Sequence, residues 1–176
     1  MPQMADSLDV MKKITRRHNV IYSVLTPNVQ GFEKALEAGA TQVAIFTSSS
    51  EGFCQHNINC SIADSLTRFE PVMELAAKHN IPVRGYLSCV ADCPYDGPTK
   101  PEQVARVANL LMELGCYEVS LGDTIGTGTP IRIAKMLEAV QVKVPTNKAC
   151  GAFSRHMGTS VGEYLPSLNN GHQYHR

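Results

Sequence analysis

The stretch EVSLGDTIGTGTP, residues 118–130, sets one carboxylate, Asp123, directly after the apolar run Val119–Leu121 and beside Gly122. A carboxylate at the end of a strand can accept a proton, hold a cation or pair with a basic side chain. Helix capping does not explain it: Thr129 and Pro130 form the N-cap and first position of the helix IRIAKMLEAV, and Asp123 stands six residues before that cap. The glycines at 126 and 128 suit a tight, exposed strand-to-helix loop. The bland alternative is a structural salt bridge beneath that loop.

Ser120, two residues earlier, and Arg84, between Val83 and Gly85, are the next candidates. An arginine inside a strand needs a carboxylate or anion if it faces inward. Thr26, Asn28, Ser48–Glu51, Tyr86, Ser88 and Thr124 are polar residues at or near other strand ends. In FTSSSE a turn followed by a helix N-cap competes with any binding role. Six cysteines, at 54, 60, 89, 93, 116 and 150, show no dense spacing and no CxxC pair, since CVADC puts three residues between Cys89 and Cys93. They read as buried thiols of a reducing compartment rather than a disulfide framework or metal knuckle.

The elements that must position these groups alternate along the chain. NVIYSVLTP, TQVAIFTSSS, IPVRGYLSC and CYEVSLGDT read as strands. Between them lie the helical GFEKALEAGA, a pattern from Ser61, a plausible N-cap, to His79, and PEQVARVANLLMELG, opened by Pro101 and closed by Gly115. Four βα units in series imply a parallel sheet, whose ligands meet the carboxyl ends of its strands. The length, 176 residues, is short for a closed (β/α)8 barrel, which takes about 250. Acidic and basic side chains balance at 16 each, which argues against nucleic acid or an anionic membrane as partner. No apolar run approaches the ~18 residues of a membrane span, and no targeting segment is visible.

The segments VLTPN, GFEKALEAGA, NINCSI, VRGYLSC, CPYDG and GCYEVSLGDTIGTGTP, in that order, resemble the 3-hydroxy-3-methylglutaryl-CoA lyases. The resemblance covers residues 1 to about 148 and implies an α/β fold that is part of a (β/α)8 TIM barrel. It also implies a retro-Claisen cleavage of 3-hydroxy-3-methylglutaryl-CoA to acetyl-CoA and acetoacetate, in leucine catabolism and ketone-body synthesis. The implied cofactor of the complete enzyme is a divalent cation, Mg2+ or Mn2+. The implied partner is an acyl-CoA substrate, with a homo-oligomer possible for the complete enzyme and the mitochondrial matrix as compartment. In this picture Asp123 is the catalytic candidate beside the hydroxyl chemistry. Ser120 and Arg84 bind substrate or support the site from matching strand positions. Related Claisen-type condensing enzymes, resembling isopropylmalate and homocitrate synthases, are one alternative, and a non-catalytic truncated subunit is another.

Several family segments are not matched. The strand ending in an Arg-Asp pair, the His-x-His metal pair and the loop with the active cysteine have no counterpart, and Cys93 of CPYDG belongs to a different segment. The metal ligands implied by the resemblance are therefore absent, and this chain is expected neither to bind the cation nor to turn over substrate alone. After Lys148 the periodic apolar pattern stops. Regrouping plausible codons for residues 149–176 by one register yields LAVHSHDTWGQALANT, a His-x-His strand of the family kind. Residues 1–148 therefore read as a partial barrel domain and 149–176 as an out-of-frame, disordered tail. Its His156, His172 and His175 then have no selected role, and a metal site at HQYH is the competing reading.

Overall fold

The computed structural model describes residues 7–152. After helix α1 (Ser7–Lys13) comes strand β1 (Ser23–Leu25), followed by α2 (Val29–Glu37), β2 (Gln42–Ser48), α3 (Glu51–Ile58) and α4 (Ile62–Lys78). Strand β3 (Val83–Ser88) leads into a two-stranded hairpin, β4 (Asp92–Cys93) and β5 (Gly97–Pro98), and then α5 (Pro101–Glu113). Strand β6 (Glu118–Gly122), α6 (Pro130–Gln141), a 3-10 turn at Thr146–Lys148 and β7 (Ala149–Ala152) complete the order. The five main strands form one sheet in the order β1-β2-β3-β6-β7, every neighbouring pair parallel. This is the sequential arrangement of a barrel wall, in which each crossover helix returns the chain to the next position.

One face of the sheet is dry. Val43, Ile45, Val83, Leu87, Val119 and Leu121 are buried with α4 residues Ile62, Phe69, Val72 and Ala76 and α5 residues Val104, Val107, Ala108 and Leu111. Gly85 belongs to this face because a Cβ there would stand 3.2 Å from both Leu111 Cδ1 and Cys116 Sγ, so α5 can lie close against β3. Thr47 is the polar exception, and its hydroxyl is 2.7 Å from Ser65 Oγ of α4. The alternate residues Leu25, Ala44, Phe46, Ser48, Arg84, Tyr86, Ser88, Glu118, Ser120 and Cys150 belong to the opposite face. This face is mixed, with an ion pair and several hydroxyls beside Leu25, Ala44 and Phe46.

Helix starts follow the local chemistry. Ser61 forms a full capping box with Asp64, and α4 continues through Pro71 to a C-cap at His79. Asn28 caps α2 by accepting the Gly31 N–H at 2.8 Å. Pro101 opens α5, and Gly115 leaves it at φ 107°. Thr129 and Pro130 occupy the expected positions at the start of α6, but Thr129 makes no side-chain cap bond. FTSSSE is the turn and N-cap weighed above, with Ser50 capping helix α3, whereas the β4–β5 hairpin was not anticipated. The first strand is also shorter than NVIYSVLTP suggests, because only Ser23–Leu25 pairs with β2. Residues 149–152, the beginning of the expected tail, pair with β6 as β7, whereas the rest of that stretch and its three histidines lie outside the described residues.

Candidate functional site

The carboxyl ends of β2, β3 and β6 meet at one rim of the sheet. Ser49 N–H donates to the Ser88 carbonyl at 2.9 Å and Val90 N–H to the Gly122 carbonyl at 3.2 Å, so the chain leaving each strand is tied to its neighbour. Cys89 turns off β3 at φ 59°, a left-handed conformation that non-glycine residues rarely adopt. Its N–H donates to Thr124 Oγ1 at 2.8 Å, which joins that turn to the residue after Asp123.

Asp123 is 6% exposed. Its Oδ2 accepts the Gly128 N–H at 2.8 Å, and its carbonyl accepts the Gly126 N–H at 3.2 Å, so the carboxylate closes its own loop. The other oxygen, Oδ1, is buried and has no hydrogen-bond partner. A buried carboxylate oxygen without a donor costs free energy unless something outside the chain supplies one. The salt bridge considered as the bland reading of Asp123 is not formed among the described residues. Ser49 Oγ is the other buried side-chain oxygen left unpartnered there.

Ser120 and Arg84 lie on the same sheet face as expected, but they are not register partners. Ser120 pairs with Tyr86 across β3 and with Cys150 across β7, and is 3% exposed. Arg84 pairs with Glu118 and bridges it at 3.0 Å, while its Nε donates to the Tyr117 hydroxyl at 3.2 Å. Burial works against the guanidinium charge, but Tyr117, Tyr86 and Glu118 outweigh it and hold Arg84 firmly protonated. The anion partner that Arg84 needed is thus a residue of the next strand. Burial also pushes the Cys150 thiol on this face up to about 11.

The serine run divides by role. Ser50 caps α3 by accepting the Phe53 N–H at 3.0 Å, and Ser48 Oγ accepts the Ser50 N–H at 3.1 Å, so both serve the turn. Asp96 reaches from the hairpin to the same helix start, where its Oδ2 accepts from Ser50 Oγ at 2.5 Å and Gly52 N–H at 2.8 Å. A side chain at Gly52 would overlap that carboxylate. Cys93 is enclosed by the same cluster. Burial opposes its ionisation, but hydrogen bonds from Ser50 Oγ and the N–H groups of Asp96 and Tyr95 prevail and lower its thiol below the usual value. Cys89 goes the other way, pushed up to about 11 by burial.

Sequence reasoning missed Asp92. Arg132 of α6 grips it with two nitrogens, at 2.6 and 2.8 Å, and Thr127 Oγ1 donates to it at 2.5 Å. The Arg132 guanidinium holds the Asp92 carboxyl below its ordinary range. No motif marked this pair, whose members stand 40 residues apart.

Among the described residues no group of three or more His, Cys, Asp or Glu is placed to hold a metal ion. Mg2+ and Mn2+ favour several oxygen ligands, and one orphan oxygen on Asp123 does not make such a set. The described residues do not fit a resident divalent cation by themselves.

The arrangement has known counterparts. A Pseudomonas aeruginosa protein named 3-hydroxy-3-isohexenylglutaryl-CoA/hydroxy-methylglutaryl-CoA lyase is 51% identical over 171 residues, which is 97% of this chain and 57% of that protein. The Danio rerio protein named 3-hydroxy-3-methylglutaryl-CoA lyase, cytoplasmic, is 54% identical, with 94% of this chain and 48% of the relative covered. Other relatives carry names that place them in mitochondria. The crystal structure of the HMG-CoA lyase from Brucella melitensis superposes with a TM-score of 0.85 at 51% identity, covering 87% of this chain and 54% of that one. The chain spans about half the length of the curated relatives it matches. The family model described as HMGL-like matches residues 1–173, running well beyond Lys148, and on that match the chain belongs to the HMGL-like family.

Proposed function

We propose that this chain carries part of the active site of a hydroxymethylglutaryl-CoA lyase. The observation that carries the reading is Asp123: a buried carboxylate at the carboxyl end of a parallel strand, one oxygen fixed by its own loop and the other unpartnered. In the proposed reaction Asp123 Oδ1 accepts the proton of the substrate's tertiary hydroxyl. As that oxygen becomes a carbonyl, the neighbouring carbon–carbon bond breaks, releasing acetoacetate and the enolate of acetyl-CoA, which is then protonated. A divalent cation bound in the complete enzyme would supply Lewis-acid chemistry, with ligands that the described residues do not provide. Ser120, buried beside Tyr86, serves the substrate from the sheet face. Arg84, held by Glu118 and Tyr117, supports that face. No observation favours a condensing enzyme over the lyase.

The compartment proposed is the mitochondrial matrix, and the complete enzyme is proposed to assemble as a homo-oligomer. The proposed domain division remains 1–148 and an out-of-frame continuation, and transcript sequence around Lys148 decides it: a continuous frame encoding the given tail would sink that division. The 176-residue chain alone is expected to release little or no acetoacetate in a coupled assay with Mg2+ or Mn2+ present. Turnover within tenfold of a complete relative would refute that expectation. In a full-length form, Asp123→Asn is expected to leave the fold intact and lower turnover by ~10² or more, the scale of a lost acid–base group. A stable variant with unchanged turnover would remove Asp123 from the chemistry.

A further inference from the structure

We propose that Asp92 and Arg132 are positioning residues that staple the β4–β5 hairpin to the Asp123 loop and preset the carboxylate with Oδ1 free. The inference rests on the reading of Asp123 as proton acceptor. Three consecutive contacts carry it. Arg132 holds both Asp92 oxygens and donates a further bond to the Ala91 carbonyl at 2.7 Å, so its planar fork fixes the hairpin against the first turn of α6. Asp92 then accepts from Thr127 Oγ1. Thr127 immediately precedes Gly128, whose N–H is the donor to Asp123 Oδ2. Fixing Thr127 therefore fixes the donor that orients the carboxylate.

The other restraints act at the start of the loop, where Thr124 Oγ1 accepts the Cys89 N–H and the Asp123 carbonyl accepts the Gly126 N–H, and Thr129 at its far end makes no side-chain cap bond. The Asp92 side chain is 14% exposed and that of Arg132 39%, so the carboxylate is the shielded half of the pair and the two-nitrogen fork, rather than burial, fixes the geometry. A pair serving only general stability would have no reason to engage the loop residue next to the Asp123 donor.

The test measures amide hydrogen exchange in the labelled 176-residue chain. With Asp92→Ala, Gly128 is expected to exchange ~10-fold faster or more, while Ile45 and Val119 in the sheet stay within about twofold, as for a local opening. Arg132→Lys keeps the charge but loses the fork and is expected to give an intermediate, equally local acceleration; it serves as the reporter if Asp92→Ala does not fold. Unchanged Gly128 exchange, or equal acceleration of all three amides, would overturn the proposal. In the full-length enzyme Asp92→Asn is expected to lower kcat about tenfold with KM held within about twofold. Full turnover by Asp123→Asn would instead defeat the reaction assignment while leaving the exchange result standing.

Discussion

At the scale of single residues, the geometry makes Asp123 and Gly128 one unit. A Cβ at position 128 would lie 2.8 Å from Asp123 Oδ2 and 2.6 Å from Ile133 Cδ1, closer than van der Waals contact allows. Gly128→Ala is therefore expected to destabilise the chain by roughly 1–3 kcal/mol, the usual cost of overpacking, as read from denaturant midpoints. An unchanged midpoint would show that the loop has slack. Asp92 supplies a pH signature. Its carboxyl is held low first by the Arg132 hydrogen bonds, so its contribution to stability is complete above the ordinary carboxylate pKa, about 4, and fades as pH falls through the lowered folded value. Thermal melts between pH 5 and 2 are expected to show a shallower acid loss in Asp92→Asn than in the parent. Parallel acid limbs would remove Asp92 from the pH response. Asp123 itself was legible from the sequence because a carboxylate there had no helix to cap. Asp92 was not, since its meaning depends on an arginine brought near only by the fold.

At the scale of elements, patterns of spacing translated directly where a helix or strand has a single dry face. The Ser61–His79 periodicity became α4 with its capping box and C-cap, and the apolar run inside TQVAIFTSSS became β2, which is buried along nearly its whole length. The box satisfies two backbone donors reciprocally, and Ser61→Ala is expected to cost about 1 kcal/mol of stability; a change below a few tenths, measured by chemical denaturation, would show that the cap is redundant. Only the start of helix α3 was legible, in FTSSSE, because its eight residues, EGFCQHNI, bury little besides Cys54 and show no apolar stripe. Its start combines the local Ser50 cap with a tertiary contact, since Asp96 from the hairpin reaches the same helix N-terminus. The β4–β5 hairpin was missed for a similar reason, being two residues per strand and held by Cys93 and Asp92 contacts rather than by alternation.

At the scale of the whole molecule, series of βα units made the parallel sheet predictable, and the observed order β1-β2-β3-β6-β7 follows chain order. The character of the inner face was harder to foresee. Which strand residues face inward is set by register, and only register shows that Arg84 falls beside Glu118 rather than beside Ser120. The polarity of that face matters for a chain about half as long as its relatives. Its hydroxyls, guanidinium and carboxylate tolerate water better than the helix-side residues do, although Leu25, Ala44 and Phe46 share that face.

The two faces of this sheet therefore differ in how well they tolerate water. Loss of cover should be tolerated asymmetrically. Cutting the chain within the exposed hairpin near Tyr95 leaves the helix-side core residues in place, whereas trimming α5 uncovers Val83, Leu87 and Val119 together. Limited proteolysis followed by size-exclusion chromatography is expected to yield a nicked species that stays monodisperse after cleavage near Tyr95, and aggregates after cleavage within α5. The same aggregation after both cuts would mean that the hairpin nick also uncovers the helix-side core, where Val90 and Ala91 are buried.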